Sequence, residues 1–295
     1  MKEHRGTIHL EQGRILAHED RGATQHLLRI AAPRTAARAV PGSFVHLTCD
    51  TALPMRRPIS IMRASAAEGW IELLYKVVGT GTAALAARRG GEAVSVLGPI
   101  GNGFTPRAQR PHAVLIGGGV GIPPLVFLAE RLHAGGGGAR RSIAFFGSEL
   151  AFPFKIRPST LLVPGMPPQA IACLPMLEDW GVPCRLASFA PFPGCFEGYV
   201  TELAAQYLAT LSPAALREVE IFACGPTVML AAVAKLARRF ELPAQVSLEE
   251  YMACAVGGCA GCAVAVQTPQ GRAMKRVCVD GPVFEASSVF GAAAG

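Results

Sequence analysis

Charged side chains are scarce in this 295-residue chain, making up 17% of it against 51% hydrophobic residues. That balance excludes a disordered chain and leaves apolar surface for two ordinary domains and a third small one. Missing too is any Lys/Arg stripe interleaved with aromatics. The formal charge of +7 comes with arginines scattered in pairs, so no nucleic-acid partner is expected, while a basic surface suits anionic cofactors or an acidic protein. No apolar segment of signal-peptide type follows the Met-Lys-Glu-His-Arg start, which makes the cytoplasm the expected compartment. Two uncharged runs, Pro111 to Ala129 and Pro158 to Leu177, reach membrane-span length. Each carries several prolines, and the first also holds Gly117, Gly118, Gly119 and Gly121, so no membrane span is expected.

Cysteine, by contrast, occurs in an informative pattern. Cys254-Ala-Val-Gly-Gly-Cys259-Ala-Gly-Cys262 is followed by Cys278 after fifteen intervening residues. The spacing C-x4-C-x2-C…C is the plant-type ligand pattern for a [2Fe-2S] cluster, a tight loop supplying three sulfurs and a distant strand the fourth. Gly257, Gly258 and Gly261 suit a loop that must bend around a cluster and aim its N–H groups at sulfur. Zinc is one alternative, although it usually takes paired C-x2-C knuckles and only one is present, with an extra Cys five positions before it. A disulfide framework is another, and it needs an oxidising compartment to which the N-terminus offers no route. Unliganded thiols are the third. Cys49, Cys173, Cys184, Cys195 and Cys224 show no metal spacing among themselves and read mostly as small buried hydrophobes.

From Thr7 to Leu97 the chain reads as short strands separated by turns: Gly6–Leu10, Gln25–Ile30, Ser43–Thr48, Trp70–Val78 and Ala93–Leu97, with one good helix over Thr82–Arg89. Pro41-Gly42 and Glu68-Gly69 are turn dipeptides between them, and the pattern predicts a small antiparallel barrel. Two features in it look chemical. Arg57-Pro58-Ile59-Ser60 puts a guanidinium fit to clamp a pyrophosphate near a hydroxyl fit to meet a ring nitrogen, Ser60 pointing to the same side as Pro58. Gly79-Thr80-Gly81-Thr82 opens the helix with Thr82 as a natural N-cap and glycine N–H groups free for an anion. The plainer alternatives are a common Arg-Pro strand start and an ordinary capped helix. Together the two segments suggest one diphosphate held from both sides.

Gly98 to Phe104 is a Gly-rich connection leading into a charged stretch, and we place a domain boundary there. Beyond it, His112–Ile116, Ser142–Gly147, Pro183–Ser188 and Val219–Cys224 read as buried strands alternating with helices, one running to about His133 and one through Phe240. That order predicts an open, mostly parallel sheet, whose ligands bind beyond the carboxyl ends of its strands. Gly117-Gly-Gly-Val-Gly121 and Cys224-Gly225-Pro226 fall at such ends, the first a phosphate cradle without the strict G-x-G-x-x-G spacing. Cys224 is either a polarised thiol facing ligand or a buried Cys before a helix. Ala151 to Pro175 is proline-rich and expected to be an irregular inserted loop. Ala263–Gln267 and Lys275–Val279 read as a hairpin whose return strand delivers Cys278, and the tail Gly291 to Gly295 is expected to fray.

This order of parts resembles the ferredoxin reductase superfamily of flavoproteins, and within it the electron-transfer subunits of two-subunit, NAD-linked dihydroorotate dehydrogenases. Its most specific carriers are Leu97-Gly-Pro-Ile-Gly-Asn-Gly-Phe104, Gly198-Tyr-Val-Thr-Glu202, Glu249-Glu-Tyr-Met-Ala-Cys254 with its loop, and Cys278-x-x-Gly-Pro-Val283. The resemblance implies a multidomain β plus α/β fold: an antiparallel FAD-binding barrel over 1–104, an open parallel-sheet NAD-binding domain over 105–245, and a small iron-sulfur domain over 246–295. It implies that Arg57, Pro58, Ile59 and Ser60 hold FAD, with Gly79, Gly81 and Thr82 at its diphosphate. Gly118, Gly119 and Gly121 would line the nicotinamide nucleotide site, with Cys224, Gly225 and Pro226 near the nicotinamide, and Cys254, Cys259, Cys262 and Cys278 would ligate the cluster.

The implied function is electron transfer from a dihydroorotate-oxidising partner subunit, a flavoprotein, through cluster and FAD to NAD, within a hetero-oligomer. Related reductase subunits serve glutamate synthase or ferredoxin transhydrogenases, and Cys254, where some transhydrogenase relatives carry Asp, favours the dihydroorotate assignment. The chain shows no Ser-His-Asp arrangement, His-rich metal site or general-base pair, so no pyrimidine chemistry is expected on this chain alone. Relatives commonly have an aromatic residue or Leu around Arg-Pro-x-Ser, and many are shorter across Ala151 to Pro175.

Overall fold

Alternating apolar residues close the N-terminal strands on themselves. A computed structural model describes residues 7–135 and 141–291, and beyond Gly291 the tail expected to fray lies outside them. Six strands, β1 (His9–Asp20), β2 (Gln25–Ala31), β3 (Phe44–Leu47), β4 (Arg57–Ser65), β5 (Trp70–Lys76) and β6 (Ala93–Ile100), form a closed barrel in the order β1-β2-β5-β4-β3-β6. Every pairing is antiparallel. Ile15, Leu28, Ile30, Val45, Leu47, Ile61, Ile71, Leu73 and Val96 fill the interior. Closure leaves no open edge to pair with another chain.

Three sequence expectations need correction here. The first strand runs on to Asp20 rather than ending at Leu10: exposed and inward positions alternate from His9 to Leu16, and its backbone pairs with β6 over His9–Arg14 and with β2 over Arg14–Asp20. The helix α2 spans Thr80–Ala86, after a one-turn α1 at Pro33–Ala36, and its N-cap is Gly79. Thr82 sits inside the first turn, where its Oγ1 accepts from Val78 N at 2.9 Å and Gly79 N at 3.2 Å and donates to Gly79 O. The hydroxyl thus satisfies helix-start donors by reaching back rather than by capping forward. Finally, the Gly-rich connection begins as strand, since β6 continues through Ile100.

The chain divides into two compact units, 1–103 with 248–283 and 104–247 with 284–295. In the second, a sheet starts from β7 (His112–Gly118), buried along its entire length, with α3 (Ile122–Ala134) following a tight turn at Gly119–Gly121. The chain then builds β8 (Arg141–Gly147), β9 (Arg157–Pro158), β10 (Ala172–Cys173), β11 (Cys184–Ser188), β12 (Phe196–Glu197), β13 (Val219–Cys224) and β14 (Ala244–Ser247). The sheet order is β12-β11-β8-β7-β13-β14, completed by an edge strand at Val283–Glu285, and the pairings from β12 to β14 are parallel. Strands step outward from β7 on one side and resume on the other at β13. The crevice between β7 and β13 is therefore the switch point at which such sheets bind ligands.

Buried polar groups in this unit are paired. Glu220 on β13 is fully buried and accepts from Arg107 N at 2.8 Å, from the Arg107 guanidinium and from Gln245 Nε2 at 2.9 Å. The stretch Ala151 to Pro175, expected to be irregular, holds the small β9–β10 hairpin. Buried Glu178 anchors it, accepting from Ser159 Oγ at 2.9 Å and Thr160 Oγ1 at 2.7 Å, while Arg185 Nη2 donates to Leu161 O at 2.7 Å. Among the described residues no helix is long and apolar enough to cross a membrane.

Two imidazoles make the fold sensitive to acid. Burial pushes His46 down to about 4, helped by the nearby Arg56 cation, and burial also lowers His112, whose Nε2 lies 2.9 Å from the Tyr207 hydroxyl. An unfolded His takes up its proton near pH 6.5 while these two stay neutral, so their contribution is whole above that pH and is lost as pH falls below it, for His46 down to about 4. Denaturant midpoints measured between pH 7.5 and 4.5 should fall across that window, whereas a flat profile would contradict the assignment of neutral buried rings.

Candidate functional site

The cysteine loop carries four thiols in two pairs. Cys262 and Cys278 are buried, 2% and 3% exposed, with their Sγ atoms 3.4 Å apart. Cys254 and the exposed Cys259 form the other pair, Cys259 N donating to Cys254 Sγ at 3.4 Å, and Gly261 N donates to Cys259 Sγ at 3.4 Å. Two thiolates bonded at ~2.3 Å to one tetrahedral metal stand about 3.8 Å apart, so the buried pair already has the spacing for a shared ion. No three His, Cys, Asp or Glu side chains among the described residues gather as a single ion would need. Two thiolates for each of two metals is the arrangement a [2Fe-2S] cluster takes, and the residues fit it.

Local structure explains the pairing. After β15 (Ala263–Thr268) and β16 (Gly271–Arg276), the chain enters a turn closed by Val279 N and Asp280 N donating to Arg276 O. Cys278 lies in that turn, not on the return strand as expected, and Val277 N donates to Cys262 O at 3.0 Å to bring the pair together. Arg276 spans the site, its Nη1 donating to Gly257 O at 2.8 Å. Burial alone raises Cys254, but N–H groups of Cys259, Val256 and Gly258 outweigh it and bring the thiol down to about 7, whereas burial and the adjacent Cys262 push Cys278 up to about 12. Loading a metal on Cys278 must therefore expel its proton.

Of the three loop glycines singled out in the sequence, only Gly257 has a left-handed backbone, at φ +82°. The other left-handed positions are Ala255 and Ala260, both at φ +55°, conformations that L residues adopt at a cost. Nothing in the residue pattern announces them.

In the barrel, Arg57 opens β4 and lies over Gly81: a Cβ there would sit 2.5 Å from Arg57 Nε and 2.7 Å from Nη2. The sequence brought these two segments together correctly, and the absent side chain is what lets the guanidinium settle on the start of α2. Pro58 and Ser60, opposite His46 and Phe44, share one face of the strand. Ile59 turns into the barrel and is buried, which leaves its main chain for contact with a ligand.

In the sheet unit, both predicted turns converge at the switch point. Cys224 is in register with Gly117, and a Cβ on Gly121 would meet Cys224 O at 2.3 Å. Gly225, at φ +155°, lies against Gly118 N, and Gly118 against Met229 Sδ and Pro226 Cδ. Gly119, at φ +55°, has nothing within 4 Å of its missing side chain, an open main-chain shoulder beside the crevice. Cys224 is fully buried and Pro226 exposed.

Residues 249–290 match the iron-sulfur cluster binding domain of dihydroorotate dehydrogenase B. The "Dihydroorotate dehydrogenase B (NAD(+)), electron transfer subunit" of Desulforamulus reducens is 32% identical over 261 residues, spanning 88% of this chain and 90% of that one. Its counterpart in Shouchella clausii is 34% identical, over 84% and 86% respectively. The chain belongs to this family. Among solved structures, the NADH-dependent reduced ferredoxin-NADP oxidoreductase superposes with a TM-score of 0.75 at 24% identity, covering 95% of this chain and 90% of that one. A ferredoxin reductase of carbazole 1,9a-dioxygenase superposes with a TM-score of 0.60 at 19% identity, over 79% and 65%. Both likenesses are of fold alone, a barrel followed by a parallel sheet.

A direct test of the loop geometry compares two neighbouring glycines. A Cβ on Gly257 would stand 2.5 Å from Val279 Cγ2 on a left-handed backbone, while one on Gly258 would meet nothing. Gly257→Ala should lower unfolding free energy by about 1–3 kcal/mol and Gly258→Ala by no more than about 0.5 kcal/mol, read from denaturant curves. Equal losses would refute the assigned backbone.

Proposed function

We propose that this chain is the electron-transfer subunit of an NAD-linked dihydroorotate dehydrogenase in pyrimidine biosynthesis, working in the cytoplasm in a hetero-oligomer with a catalytic flavoprotein subunit. The net reaction converts dihydroorotate and NAD⁺ to orotate, NADH and a proton, the partner oxidising dihydroorotate. What carries the reading is the two-by-two arrangement of four thiols in a chain of this family. FAD, when bound, exchanges single electrons with a cluster and a hydride with nicotinamide.

The residues divide the labour. Cys254 and Cys259 would hold the outer metal of the cluster, and Cys262 and Cys278 the inner one, with Arg276 bracing the loop between them. Arg57 with Gly79, Gly81 and Thr82 would hold the FAD pyrophosphate from both sides, the guanidinium giving bidentate charge-assisted bonds. Pro58 and Ser60 would face the isoalloxazine, with Ile59 contributing main chain. Gly118, Gly119 and Gly121 would cradle the nicotinamide dinucleotide, with Cys224, Gly225 and Pro226 closing the crevice at the nicotinamide. In this reading 1–104 serves FAD, 105–245 NAD and 246–295 the cluster. Cys259 is exposed, so a metal held there would lie nearest the surface, the natural entry for an electron from another protein.

The test is an anaerobic affinity purification from the native cells, assayed for dihydroorotate-dependent NAD reduction. Activity should co-elute with a second flavoprotein, and Cys259→Ala should abolish it while NADH oxidation by a dye through FAD persists. An eluate that contains FAD and iron and oxidises NADH yet ignores dihydroorotate would turn the assignment towards another acceptor.

A further inference from the structure

Hydrogen bonds tie the exit of the cluster loop to the barrel, and at its entry a buried barrel histidine stands against the main chain. On the exit side, Asn102 Nδ2 donates to Val279 O at 3.2 Å and to Asp280 O at 3.0 Å, and Asn102 N donates to Gly281 O at 2.6 Å. These carbonyls lie one to three residues past Cys278. Beside them, the missing side chain of Gly101 leaves room for Pro282, 2.3 Å from where a Cβ would be, with Phe44 Cε1 at 3.4 Å. Phe44 is on β3, and two residues along the same face of that strand stands His46.

His46 is 1% exposed, and both ring nitrogens are buried without a hydrogen-bond partner among the described residues. A neutral imidazole carries one donor and one acceptor, and leaving both unmade in a buried site is costly enough to need a reason. The ring faces the main chain of Met252, an acceptor two residues before Cys254, and that of Arg56. Arg56 does not relieve it: its carbonyl already accepts from Arg57 Nη1 at 3.2 Å, and its guanidinium is spent on His46 O at 3.0 Å, Ser95 O at 3.1 Å and Ser95 Oγ at 2.8 Å. Directly opposite His46 in the sheet is Pro58, on the strand that would carry FAD.

We propose that His46 is a positioning residue for the cluster: in the loaded protein its ring N–H donates to the Met252 carbonyl, fixing the entry to the ligand loop as Asn102 fixes the exit. This rests on the cluster reading above. The barrel then grips the loop at both flanks, from β3 on one side and from the end of β6 on the other. The donor acts on main chain, so what matters is a hydrogen-bonding group of similar reach rather than an imidazole as such.

The experiment compares wild type, His46→Leu and His46→Gln as full-length chains, each loaded with iron and sulfide. Its readouts are the loss of visible cluster absorbance under a chelator, the EPR spectrum of the reduced cluster and the FAD content. His46→Leu should lose the cluster roughly fivefold faster, the rate equivalent of one hydrogen bond near 1 kcal/mol, with FAD content unchanged and EPR lines broadened. His46→Gln should recover most of the lifetime and the wild-type line shape. Wild-type lifetime and spectrum in His46→Leu overturn the proposal, as do equal losses in both variants. Should His46→Leu yield no soluble chain, His46→Gln decides: a wild-type cluster sustains the proposal, and a lost cluster with FAD retained defeats it. A wild-type chain that takes up no iron brings down the cluster reading itself, which separates that failure from this one.

Discussion

Four thiols must be delivered two by two, and that single requirement shapes the N-terminal unit. Three of them come from one short loop, but the fourth is displaced by a hairpin and has to be returned to within 3.4 Å of Cys262. The hairpin β15–β16 does this by ending early, so that the turn after Arg276 carries Cys278 inward. Arg276 ties the turn back to Gly257, and Asn102 ties its far side to the barrel. Loop, hairpin and barrel form one compact unit, held by these ties and by Pro282 packed against Gly101.

In the proposed reading the second unit serves a dinucleotide, with the same economy of side chains. A dinucleotide needs main-chain N–H groups at the switch point of a parallel sheet, and bulky residues there would keep the strands' ends apart. Gly121 against Cys224 and Gly118 against Gly225 close that end so tightly that a methyl group has no room at Gly121. Gly119 alone is left open on its outer side.

Much of this was readable in the residues. The cysteine spacing marked the loop, the strand and turn punctuation marked the barrel, and β7, β8, β11 and β13 stood out as apolar runs between helices. Arg57 and the Gly79 to Thr82 turn were expected together and lie together. Less legible were features set by tertiary context. β1 extends through polar residues because the barrel needs its length to close. Helix α2 starts two residues early because Thr82 reaches back to Val78 and Gly79. Two of the loop's three left-handed residues are Ala255 and Ala260, which composition does not flag. His46 read only as part of an apolar strand, and its importance lies in what its nitrogens do not touch.

On our proposal the four cysteines hold a two-iron cluster in a flavin-bearing chain. Purifying the chain anaerobically and measuring iron, acid-labile sulfide, zinc and FAD, with EPR after reduction, tests it most directly. Two irons and two sulfides per chain beside one FAD, with a rhombic signal from the reduced cluster, is the predicted result. Zinc in place of iron, or iron without sulfide, would contradict it.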